Sequence, residues 1–108
     1  MRTRAEYEEW YPVFAASGLV VPTWPREYGG QEASVWKQAI LREEMWAHDE
    51  PRGPQYMNLN YIGPCIMRFG TEAQKKQYIP GWIAGTQLGF FAMTEPNTGS
   101  DVASMRTY

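Results

Sequence analysis

The chain has 108 residues, the size of one small domain, and ten Lys and Arg against twelve Asp and Glu give a formal net charge of −2. That balance lacks the basic footprint of a nucleic-acid binder, and the longest apolar runs, Val13–Ala16 and Phe90–Met93, are far too short to span a bilayer. One cysteine, Cys65, and one histidine, His48, exclude an internal disulfide and a multi-thiolate metal site built by this chain. Aromatic residues reach 15%, and ten Gly with eight Pro punctuate the backbone, so short elements joined by shaped loops are predicted.

Tyr7, Trp10, Tyr11 and Phe14 recur at helical spacing and predict an amphipathic first helix whose aromatic stripe faces a core. Glu6, Glu8 and Glu9 take its other faces, and Gly18 is its stop. Leu19–Gly30 holds Pro22, Pro25 and a Gly29-Gly30 pair, which predicts a shaped loop or short extended segment. Ser34 is an N-cap for a second helix to about Ala47, with Val35, Ala39, Arg42 and Trp46 on one side. Glu43, Glu44, Asp49 and Glu50 read as a solvated acidic face, and His48 as a surface or structural residue.

Leu59, Ile62, Ile66 and Phe69 keep helical spacing again, with Pro64 predicting a kink or a free carbonyl and Cys65 read as a small buried thiol. Gly70 ends that helix and Thr71 caps the next, Glu72–Tyr78, with acid in its first turn. Pro80 suits the first turn of a further short helix through Ala84, closed by Gly85. Gln87–Met93 is a short aromatic-rich run that predicts a strand.

Chemistry concentrates in Phe91–Ser104, where the predicted strand delivers Thr94 to a loop with Pro96, Gly99, the hydroxyls of Thr98 and Ser100, and the acids Glu95 and Asp101. Exposed amides and hydroxyls at a strand end suit a pyrophosphate or the polar edge of a ring, and they equally suit an ordinary capped turn. Ala92–Ser104 closely resembles the signature of the acyl-CoA dehydrogenase family, with Thr98 slightly larger than the residue usual there. Pro25–Gly30 resembles that family's Pro-x-x-Tyr-Gly-Gly loop, and Phe69–Pro80 with Gly85 and Gly89 resembles the helix pair before the signature.

The resemblance implies a mainly α fold. Residues 1–86 would form most of an N-terminal helical domain, and 87–108 the first strand and flavin-binding loop of a central β domain. It implies a chain that continues, with a second flavin loop and a catalytic Glu lying past Tyr108, so that no catalytic residue is expected here and Glu95 is not the base. FAD is the implied cofactor, with Phe91, Ala92, Met93 and Thr94 along the flavin ring and Gly99 and Ser100 at the pyrophosphate. Ser100 would also touch the acyl-CoA substrate. The implied reaction is α,β-dehydrogenation of an acyl-CoA by a homotetramer that passes electrons to an electron-transferring flavoprotein. An acyl-CoA oxidase-like enzyme and a non-catalytic helical module stay open as alternatives. Arg52 stands where glutaryl-CoA dehydrogenases keep an Arg for the distal carboxylate, though Gly53 replaces the usual Ser, so a dicarboxylyl-CoA substrate stays open beside a plain loop role. The absence of a targeting segment points to the cytoplasm, or to the mitochondrial matrix in a eukaryote.

Overall fold

The computed structural model describes residues 3–50 and 52–107. Helix α1 spans Arg4–Ala16 and begins with a capping box: Thr3 accepts from the Glu6 amide, and the Glu6 carboxylate accepts from the Thr3 amide. Its aromatic stripe stacks along the helix, Tyr7 on Tyr11 and Trp10 on Phe14, with ring centroids 5.2 and 4.6 Å apart. Tyr11 is buried as the stripe predicts. After Gly18, at φ 72°, the Pro-rich stretch bonds to itself, with Trp24 donating to Val21 and both Gln31 and Ala33 donating to Pro22. A single 3₁₀ turn at Arg26–Tyr28 interrupts it.

Helix α2 is Val35–Ala47, capped by the Ser34 side chain on the Lys37 amide. It buries none of its side chains, and Val35, Trp36, Ile40 and Trp46 are all exposed. Next come α3 (Gln55–Met57), a π-helical turn at Asn58–Ile62 and α4 (Gly63–Phe69), running as one continuous helix. Pro64 acts here as expected of a residue without an N–H, except that the chain answers with a wide turn: the Gly63 amide reaches five residues back to Asn58. Cys65 is exposed rather than buried, because the face of α4 beside Pro64 points away from the core.

Helix α5 runs unbroken over Glu72–Ile83, capped by a Thr71–Gln74 box, so Pro80 lies inside it instead of starting a separate helix. A proline in a helix interior costs about 3 kcal/mol. Ile79 and Trp82, buried on either side of it, hold the turn together by packing. The core gathers Val21, Leu59 and Trp82, with Val20, Trp24, Ile62, Ile66 and Ile83 against them. A radius of gyration of 15.5 Å exceeds the roughly 13 Å of a compact domain this long, which fits a small core with α2 and the last twenty residues standing off it.

The predicted strand at 87–93 does not form: among the described residues 87–94 have no strand partner, and the one bridge is the isolated pair Glu95 and Thr98. A strand exists only against a neighbour, and no other extended segment among the described residues lies alongside. No helix among the described residues is long and apolar enough to cross a membrane.

Candidate functional site

Three anchors fix the segment that leads into the signature. The Thr86 and Gln87 amides donate to the Gly81 carbonyl at 2.9 and 3.2 Å, closing the end of α5. The Gly89 amide donates to Asn58 Oδ1 at 3.0 Å. Tyr61 meets Phe91 edge to face, with centroids 5.0 Å apart at 72°. Past these anchors, the backbone amides of residues 90–94 make no hydrogen bond to any other described residue. Phe90 and Phe91 are exposed, at 93% and 50%.

The loop beyond is tightly built. Glu95 and Thr98 exchange both backbone bonds, at 2.8 and 3.1 Å, around the Pro96-Asn97 turn. The Glu95 carboxylate then accepts the amides of Arg106 and Thr107 at 3.0 and 2.8 Å. The Thr107 side-chain bond and these two amides hold its carboxyl below the usual carboxylate range. Glu95 is thus a strap across the loop, ionised and fully engaged. Thr98 is buried, and Asp101 receives Ser104 at the head of a last 3₁₀ turn, Val102–Ser104.

This arrangement fits a flavin. A run of unpaired amides beside exposed aromatic surface offers donors to a flat ring with a polar edge. Gly99 stands on exposed backbone, where even an added Cβ would meet nothing nearer than Thr94 Cγ2 at 4.0 Å, so the main chain there is open to a ligand's approach. Phe91, Ala92, Met93 and Thr94 lie consecutively along the free edge, and Gly99 and Ser100 follow the turn on exposed backbone.

Arg52 is elsewhere, beside a pocket of about 100 Å³ between α1, α2 and α3, which Tyr7, Arg42, Glu50 and Gln55 also line. Its Nε donates to Glu50 Oε1 at 2.6 Å, and its guanidinium lies 4.8 Å from the Trp46 ring and 5.0 Å from the Tyr56 ring. Glu50 is the exception in the acidic group read as solvated, its side chain only 12% exposed against Arg52. His48 caps α2 on the surface, its Nδ1 2.8 Å from the Glu44 carbonyl oxygen. Asn58, Tyr61 and Gly89 support the signature segment and were not legible as such. The available signal was an Asn amid apolar helical residues six places before a proline.

Comparison with known proteins gives a consistent picture. The family model described as acyl-CoA dehydrogenase, N-terminal domain, matches residues 1–86. The chain is 32% identical over 102 residues to acyl-CoA dehydrogenase IpdE1 of Mycolicibacterium smegmatis, covering 94% of this chain and 26% of that protein. It is 37% identical over 90 residues to mitochondrial isovaleryl-CoA dehydrogenase of Pongo abelii, covering 82% and 21%. Among solved structures, the Tcur3481-Tcur3483 steroid ACAD superposes with a TM-score of 0.74 at 35% identity, over 94% of this chain and 26% of that one. The ChsE4-ChsE5 complex from Mycobacterium tuberculosis gives 0.75 at 32% identity, over 97% and 27%. The chain therefore spans about a quarter of the length of the relatives it matches.

Proposed function

Because the chain belongs to the acyl-CoA dehydrogenase family, we propose that it supplies the flavin-facing edge of an enzyme that dehydrogenates an acyl-CoA thioester between its α and β carbons. The observation that carries this reading is the free amide edge at 90–94, leading into a strapped turn with open space at Gly99. In this reading residues 1–86 are the helical domain and 87–108 belong to the β domain. Phe91, Ala92, Met93 and Thr94 hold the flavin ring of FAD through backbone amides and the Thr94 hydroxyl. Gly99 and Ser100 receive the pyrophosphate, and Ser100 also meets the acyl-CoA.

Bound there, FAD supplies the hydride acceptor for the β-carbon. The chain's own part is electrostatic and positional: amide donors along one ring edge favour negative charge on that edge. Glu95, whose carboxylate accepts two amides of its own loop, is not free to remove the α-proton. That step needs a carboxylate positioned from outside these residues.

For the acyl group, a simple acyl-CoA is better supported than a dicarboxylyl-CoA. The glutaryl-like reading depends on Arg52, whose guanidinium already serves Glu50 and two aromatic faces. Assembly into an oligomer such as a homotetramer, and delivery of electrons to an electron-transferring flavoprotein, complete the proposal.

The test is anaerobic. The purified protein carrying this chain should show the visible absorption of bound flavin, and a short-chain acyl-CoA should bleach it. Flavin reduction followed by rapid peroxide formation in air would favour the oxidase-like alternative, and a colourless protein would favour a non-catalytic module.

A further inference from the structure

The segment that faces the proposed flavin is gripped from behind by one side chain. Asn58 is 1% exposed, at the start of the π-helical turn. Its Oδ1 accepts the Gly89 amide at 3.0 Å while its Nδ2 donates to the Gln87 carbonyl at 3.3 Å. A carboxamide that takes the amide of one residue and the carbonyl of the residue two earlier imitates a neighbouring parallel strand. It does this where neither the Gln87 carbonyl nor the Gly89 amide has a backbone partner among the described residues.

Two further features serve the same contact. A Cβ on Gly89 would lie 3.2 Å from Ile62 Cδ1 and 3.3 Å from both Asn58 Oδ1 and Trp82 Cζ2, so glycine lets the backbone come close enough to be bonded. The wide turn itself is set by Pro64 and by the Gly63 amide reaching Asn58, and it carries Tyr61 onto Phe91 as well. A π-turn costs helical hydrogen bonding, and such turns recur at functional sites. Here it carries both the amide and the ring that hold residues 87–91.

We propose that Asn58 is a positioning residue for the flavin: by clamping Gln87 and Gly89 it sets where the free amide edge of Phe91–Thr94 stands. This rests on the flavin reading above. The test uses the flavoprotein carrying this chain, with Asn58→Leu to remove both bonds, Asn58→Asp to keep the acceptor and lose the donor, and Tyr28→Phe, which removes a buried tyrosine's bond to Glu72 at the far end of α5, as a control for general destabilisation. FAD dissociation, the flavin's visible spectrum and amide exchange across 87–94 are measured on each. Losing two ordinary hydrogen bonds predicts FAD binding weakened by about ten-fold in Asn58→Leu. A shifted flavin band and faster exchange at Gly89 should accompany that loss, with Asn58→Asp between it and the parent. Tyr28→Phe should leave the flavin band unmoved. An Asn58→Leu protein with the parent's FAD affinity and spectrum would overturn the proposal, as would equal changes in Tyr28→Phe. If the parent itself takes up no FAD, the flavin reading fails instead, and Gly89 exchange in the variants still reports whether the clamp exists.

Discussion

The Tyr11 hydroxyl stands 2.9 Å from the carbonyl oxygen of Ile83, joining the first long helix to the last turn of α5. That carbonyl is one of the helix-end acceptors with no partner inside its own helix. Tyr7 repeats the tie less directly, donating to Gln55, whose Nε2 donates to the Gly85 carbonyl at 3.2 Å. Gly85 closes the arrangement at φ 73°, where a Cβ would come within 2.6 Å of the Tyr11 ring. The end of α5 is therefore set by α1, and the signature segment starts from that end.

Tyr11→Phe should lower stability by about 1 kcal/mol, since it removes one net hydrogen bond and leaves the part-buried Ile83 carbonyl without it. Burial pushes the Tyr11 phenol from 10.0 up to about 12. The raised value favours the protonated phenol in the folded state. Its contribution is thus fully present below pH 10 and is lost as pH rises toward 12. Urea unfolding of parent and variant between pH 8 and pH 11 checks both statements (about that range being set by the phenol): the gap between the two proteins should narrow as pH rises.

The Glu95 strap predicts acid sensitivity confined to the loop. Its carboxyl is held below the ordinary 4.5, so the strap is intact above that value and loosens as pH falls through the lower folded-state value. In NMR titrations the Arg106 and Thr107 amide resonances should move together in that window, and Glu95→Ala should abolish the movement. Resonances that stay fixed while the rest of the protein titrates would disprove the strap.

Arg52 should behave as a structural strut. Arg52→Ala leaves Glu50 without its partner and strips the cation from Trp46 and Tyr56. In the active enzyme it should depress kcat/KM for a dicarboxylyl-CoA and for a simple acyl-CoA of similar length by the same factor. A selective loss of about ten-fold or more on the dicarboxylyl substrate alone would restore the distal-carboxylate role.

Helix starts were the most legible part of the fold, because a cap is a local event. Ser34 and Thr71 announce α2 and α5 by side chains that bond amides three residues away. What depended on distant packing was less legible. Pro80 reads as a break until Ile79 and Trp82 are seen buried around it, and Cys65 reads as buried until the orientation of α4 is known. The run at 87–93 has strand chemistry but no strand partner, and its real neighbour is a side chain, Asn58, at long range. Of the candidate site, the signature residues were legible as a motif, whereas their supports were not, since a π-turn leaves no periodic mark in a sequence.

The most direct test of the central claim is hydrogen–deuterium exchange on the flavoprotein carrying this chain, with FAD removed and then restored. The account predicts that FAD slows exchange across Phe91–Thr94 and at Gly99 and Ser100, whose amides have no partner among the described residues, and leaves α1 unchanged. Protection gained elsewhere, with residues 90–100 exchanging at the same rate with and without FAD, would contradict it.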